Sequence, residues 1–166
     1  MIELRPVREA DLERILRLNN AAAPAVTELT VADLGWFAEV SPWFHAAIVD
    51  DALVGFLIGL EGPGLEYASD NWRWFSTRFP DGFAYVDRVV VDPDGWGRGV
   101  GRSLYDAFVA HARGVGRPRV CAEVNVVPRN ERSLTFHEAY GFVAVGEQDT
   151  EGGSKRVRLF RLEVGA

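Results

Sequence analysis

The sequence predicts an α/β (α+β) fold: one domain over residues 1–166, with about 6–7 strands and about 4 helices. Three observations predict it. Apolar runs of strand length alternate with stretches whose apolar residues recur at helical spacing. Residues 83–114 pass from a strand through a glycine-rich turn into a helix without a break. No repeat, low-complexity segment or linker divides the chain, and 166 residues are enough to bury a core.

Ile2–Arg5 reads as a short first strand. Asp11–Asn19 reads as a helix, with Leu12, Ile15 and Leu16 on one face and Asp11 at the end where the dipole favours a carboxylate. Ala21–Glu28 is small and irregular, a loop. Thr30-Val31-Ala32-Asp33 has the form of a capping box, and Leu29 with Leu34 suits a hydrophobic staple. A second helix follows to about Val40. Phe44–Val49 and Leu53–Leu60 are apolar runs parted by Asp50-Asp51-Ala52, which reads as a hairpin. Residues 61–82 form a long connection carrying Tyr67, Trp72, Trp74, Phe75 and Phe79. Long connections often serve function, and exposed clustered aromatics mark binding surfaces. The same rings would equally cover an open edge of the core.

Residues 83–91 are a strand by composition: Phe83 and Tyr85 are aromatic, and Val86, Val89, Val90 and Val91 are β-branched. Pro93-Asp94-Gly95 ends it. From Arg102 the apolar period becomes helical through Leu104, Ala107, Phe108, His111 and Ala112. Arg119–Asn125 is another strand, closed by Val127-Pro128-Arg129. Asn130 suits the cap of a helix over Glu131–Tyr140, which Gly141 stops. Phe142–Gly146 and Arg156–Glu163 read as closing strands, joined by a turn at Thr150–Ser154.

Composition excludes several functions. The formal net charge is −6, which disfavours nucleic-acid binding. No apolar run reaches membrane-spanning length, and MIELRPVREADLE is not a signal peptide. Cys121 is the one cysteine, so no intramolecular disulfide forms, in keeping with a reducing cytoplasm. It sits in an apolar run and reads as core. His45, His111 and His137 lack ligand spacing, so no metal is expected.

The chemistry concentrates in Gly95-Trp96-Gly97-Arg98-Gly99-Val100-Gly101, glycine at every second position before a helix. The first turn of a helix offers unpaired N–H groups and a positive dipole end, and glycine lets an anion come close to the backbone. A phosphate or pyrophosphate fits there, with Arg98 and Arg102 adding charge. The Gly-Lys-Ser/Thr of a P-loop is absent. So is G-x-G-x-x-G: the third position is Arg102 or Leu104.

DPDGWGRGVGRSL resembles the acetyl-CoA-binding segment of the GNAT acetyltransferase superfamily, Q/R-x-x-G-x-G/A, with Gly99 and Gly101 at its two small positions. Trp96 stands where Gln or Arg is usual. Residues 130–142, from Asn130 to Phe142, resemble the family's Asn…Ala/Ser…Tyr…Gly-Phe segment. The resemblance implies a mixed, mostly antiparallel central sheet flanked by helices. It implies an N-acetyltransferase using acetyl-CoA as co-substrate, without a metal, by direct attack of a primary amine in a ternary complex. A noncatalytic acyl-CoA-binding module on the same fold is the alternative. The acceptor is a small-molecule or peptide amine. A homodimer is among the partners the family suggests.

By the same resemblance, the carrier is held by Val89, Val90 and Val91, by Trp96, Gly97, Arg98, Gly99, Val100, Gly101 and Arg102, and by Asn130 unless that residue only caps its helix. For the base, Asp87 lies on an otherwise apolar strand, and Glu123 on the next strand is its rival. Asp87 would alternatively pair with a neighbouring arginine. His137 stands near a position where many members carry tyrosine. As imidazolium it would reprotonate the leaving thiolate, or it is a packing histidine. Tyr67, Asn71, Trp72, Trp74 and Phe75 are expected to wall the acceptor site.

Overall fold

The computed structural model describes residues 1–165, and the chain divides into two compact units. The first comprises Met1–Leu60 and Val86–His111, and the second comprises Glu61–Tyr85 and the residues from Ala112 onward. Among the described residues, seven strands and five α-helices give an α/β fold with a mixed sheet.

In the first unit the strand order is β1 (Glu3–Pro6), β2 (Trp43–Val49), β3 (Ala52–Gly62), β4 (Phe83–Val91). β1 and β3 flank β2 antiparallel. The β2–β3 turn is Asp50-Asp51, with φ of 49° and 63°. Two left-handed residues make the tight turn whose twist suits a hairpin, and aspartate tolerates that conformation. Helix α1 (Leu12–Ala21) buries Ile15 and Leu18. Helix α2 (Val31–Val40) begins with the predicted capping box: Asp33 N–H donates to Thr30 Oγ1 at 3.1 Å, and Thr30 N–H donates to Asp33 Oδ2 at 2.9 Å. Helix α4 (Val100–Gly114) starts here and buries Val100, Leu104 and Phe108. Phe108 lies so close to β3 that a methyl group on Gly59 would come within 2.2 Å of its ring.

In the second unit the order is β4, β5 (Arg119–Val127), β7 (Lys155–Glu163), β6 (Val143–Thr150). β4 and β5 pair in parallel at Ala84–Val120 and Tyr85–Cys121, whereas β7 runs antiparallel to both β5 and β6. Helix α5 (Glu131–Tyr140) ends at Gly141, whose φ of 118° is open to glycine and costly for other residues.

The connection 61–82 corrects the sequence reading. It contains a fifth helix, α3 (Asp70–Arg78), and Trp72, Trp74 and Phe75 lie on it. Its signals are short but present: Ser69 caps it by accepting from Trp72 N–H, Asp70 sits in the first turn and Arg78 in the last. β6 also runs to Thr150 rather than Gly146, through a bulge at Ala144/Gly146 that breaks its apolar alternation.

Candidate active site

The glycine turn is built from the backbone. Asp92 starts it, its carboxylate accepting from Asp94 N–H at 3.0 Å and from Arg14 at 2.8 Å. A single 3-10 turn, Pro93–Gly95, follows. Trp96 Nε1–H donates to the Val91 carbonyl at 3.0 Å, while its ring remains 48% exposed. Gly97 and Gly99 have φ of 79° and 81°, and a Cβ at either would meet nothing within 4 Å. The chain thus adopts two left-handed residues in front of open space. Ser103 N–H bonds to Gly99 O at 2.9 Å, the bond that opens α4, and the N–H groups of a helix's first turn point out of its start. Arg98 and Arg102 are exposed beside this turn. Val90 is buried, with Val89 and Val91 half-buried on the opposite face of β4. Open glycine backbone at the start of a helix suits a pyrophosphate, so the residues present fit a CoA-type carrier.

The two carboxylate candidates have different partners. Asp87, with its side chain 3% exposed, accepts from Arg88 Nε at 2.8 Å. Arg88 also donates to Asn19 Oδ1 at 3.0 Å and to Thr27 O at 2.8 Å, and lies over the Phe37 ring. Asp87 is therefore part of a buried polar cluster that joins β4 to α1 and the loop after it. The alternative reading, pairing with an arginine, is what the structure contains. Glu123 accepts from the Tyr85 hydroxyl, at 2.8 Å to Oε1 and 2.7 Å to Oε2.

His137 is packed into the interior of the second unit. It is 2% exposed, with Nδ1 2.7 Å from the Ser133 carbonyl and its ring stacked on Phe160. Burial lowers its pKa to about 4, against a smaller opposing effect of the Ser133 bond. Burial disfavours the imidazolium form on which the proton-donor reading of His137 depends. Cys121 is fully buried, and desolvation pushes its thiol far above the ordinary range. Asn130 caps α5, accepting from Ser133 N–H at 3.2 Å.

Among the residues expected to wall the acceptor site, Trp72 and Phe75 are 3% and 0% exposed and pack against Phe83 and Tyr85. Tyr67, Asn71 and Trp74 are half-buried. Asn71 accepts from Gln148 at 2.8 Å, and Trp74 lies over Gly146 and under Arg78. The sequence reading missed Tyr85 as a partner of Glu123, and Arg88 as a hub. An arginine in an otherwise valine-rich strand is a signal that something buried must meet it.

Comparison with known proteins agrees with this architecture. The model of the acetyltransferase (GNAT) family matches residues 11–142, most of the chain. The chain belongs to the GNAT acetyltransferase family. It is 31% identical over 149 residues to mycothiol acetyltransferase of Propionibacterium freudenreichii, covering 87% of this chain and 44% of that protein. It is 34% identical over 116 residues to the L-amino acid N-acyltransferase MnaT of Escherichia coli, covering 66% and 61% respectively. The chain thus spans well under the full length of both relatives. Ard1 from Thermoplasma volcanium shares the fold, with a TM-score of 0.80 at 21% identity, covering 99% of each chain. Among the described residues, no helix is long and apolar enough to cross a membrane.

Proposed function

We propose that this GNAT-family chain is an acetyl-CoA-dependent N-acetyltransferase, one domain acting on a primary amine by direct attack in a ternary complex. The observation that carries the reading is the turn at Gly97–Arg102, with Gly97 and Gly99 left-handed and open at the start of α4. Its N–H groups hold the pyrophosphate, and the backbone of Val89–Val91 aligns the carrier's arm. Acetyl-CoA supplies the activated thioester. Glu123 takes a proton from the acceptor's ammonium, since Asp87 is already paired with Arg88; the freed amine attacks the thioester carbonyl, the C–S bond breaks, and the CoA thiolate takes up a proton as it leaves. Cys121, buried and hard to ionise, is no nucleophile, which supports direct transfer over an acyl-enzyme. Tyr67, Asn71 and Trp74 remain the residues of the 61–82 connection available to an acceptor.

The acceptor belongs to the small amines or peptide termini. The L-amino acid specificity in the name of one relative makes free L-amino acids the first class to try. A cytoplasmic setting accompanies this reading, as does a homodimer. The neutral, buried His137 favours the second reading, a carrier-binding module without turnover.

Thermal unfolding with and without acetyl-CoA tests the first step. At about 100 times its Kd the ligand adds roughly 2.7 kcal/mol, a shift on the order of 5–10 °C for a domain of this size. No shift from folded protein rejects both readings. A shift without CoA release across a panel of L-amino acids, peptides and polyamines selects the second.

A further inference from the structure

Tyr85 is almost wholly buried, at 1% exposure, yet its hydroxyl reaches a carboxylate. The register explains how. Tyr85 stands opposite Cys121 in the parallel β4–β5 pair, so Glu123, two residues on, is its diagonal neighbour on the same face. The hydroxyl lies 2.8 and 2.7 Å from the two carboxylate oxygens, and so is shared between them. A phenol has one proton to give, and a carboxylate so approached is fixed in both direction and rotation.

The ring itself cannot swing. Trp72 meets it edge-on at 5.5 Å and Phe75 lies 5.7 Å away, both from α3. Trp72 is fixed in turn by its Nε1–H bond to Leu65 O at 3.1 Å. A chain of contacts therefore runs from the connection 61–82 through two buried rings to one hydroxyl and one carboxylate, all within the second unit.

We propose that Tyr85 is a positioning residue for the general base: α3 clamps its ring, and its hydroxyl orients Glu123 and stabilises the ionised carboxylate. This rests on the reading of Glu123 as the base. It gives α3 a different purpose from a substrate wall, since its buried aromatics support the base from behind. The charges around this stretch of β5 are Arg119, Arg161, Glu163 and Glu123 itself, all felt by the Cys121 thiol. A pH profile is for that reason read beside Glu123→Gln.

The test uses Tyr85→Phe, which keeps the ring and its packing, together with Glu123→Gln and the double variant. Acetyl transfer to the L-amino acid chosen by screening is followed as CoA release. Tyr85→Phe is expected to lower kcat about tenfold or more, to move the acid limb toward higher pH, and to leave the KM for acetyl-CoA unchanged. In the Glu123→Gln background it should cost nothing further, because both changes remove one function. Parental activity in Glu123→Gln overturns the base reading and the proposal together. An inactive Glu123→Gln beside a parental Tyr85→Phe profile overturns the proposal alone. So does an equal Tyr85→Phe penalty in both backgrounds. Independently of turnover, the 13C carboxyl resonance of Glu123 should titrate at higher pH in Tyr85→Phe, and an unchanged titration rejects the hydrogen bond.

Discussion

The glycine turn of the first unit and the Tyr85–Glu123 pair of the second are made from different material. The turn is backbone: two left-handed glycines, a 3-10 turn and the start of a helix. Its binding groups are peptide N–H groups, which every residue but proline carries, so function there depends on conformation rather than on side chains. The Tyr85–Glu123 pair is side chain throughout, and each member is held by another. A backbone site tolerates changes that preserve its dihedral angles. A side-chain site fails when any link in its support is cut.

The largest effect should come from the second unit. Truncating Trp72 to Ala removes a buried ring from the cluster around Phe83 and Tyr85, and large aromatic truncations cost about 3–5 kcal/mol. Thermal unfolding should fall by about 6 °C or more on that scale. Trp74→Ala, at a half-buried position, should cost clearly less. If Trp72→Ala unfolds like the parent and alters only the acceptor KM, the ring faces a substrate after all and the comparison fails.

His137 gives the next effect, and its sign is fixed by burial. Its folded pKa of about 4 lies below the ordinary 6.5. Above about pH 6.5 the ring is neutral in both folded and unfolded chain and adds no slope. As pH falls from there to about 4, the unfolded chain takes a proton that the folded one refuses, and stability drains away by about 3 kcal/mol in all. Denaturant titrations of His137→Phe over that window should lack this slope. An unchanged slope would mean that other groups carry it. The same variant should keep the alkaline limb of the rate profile, because a neutral ring is no acid there.

A smaller effect is expected in the turn. Gly99→Ala places a side chain at φ 81°, and a left-handed non-glycine residue costs about 1–2 kcal/mol. Space is not the obstacle, since nothing lies within 4 Å of the new methyl. Acetyl-CoA affinity should therefore drop about tenfold by this estimate while the fold persists, measured by calorimetry against unfolding. Unchanged affinity would show that the turn's conformation does not matter to binding.

The same contrast explains what could be read from the sequence. Strand β4, the capping box at Thr30 and the Asn130 cap are local features, written in neighbouring residues, and they stand where they were foreseen. The glycine turn is local too, and two of its four glycines, Gly97 and Gly99, take positive φ. Glu123 could be named as a candidate, but its partner could not. Tyr85 lies 38 residues away, and only the β4–β5 register brings it near. His137 was ambiguous because its role depends on desolvation, a property of Phe160 and its surroundings rather than of α5. Helix α3 was hidden because most of its aromatics serve as core while the residues between them are polar, over only nine positions.

Trp96 supplies the finest test, because here the turn does depend on a side chain. It stands where the family's segment has Gln or Arg, and its indole N–H bonds back to the Val91 carbonyl at 3.0 Å. That bond ties the turn to the end of β4. Trp96→Phe keeps an aromatic ring at a half-exposed site and deletes the bond. A neutral hydrogen bond contributes about 1 kcal/mol net, and the residue that loses its donor, Val91, is half-buried. The expected result is about a fivefold weaker acetyl-CoA complex with a nearly unchanged unfolding temperature. A loss confined to unfolding would make the bond a structural tie alone. Unchanged affinity and unchanged unfolding would mean that the glycines hold their conformation unaided, and the contrast between backbone and side-chain sites would then be complete.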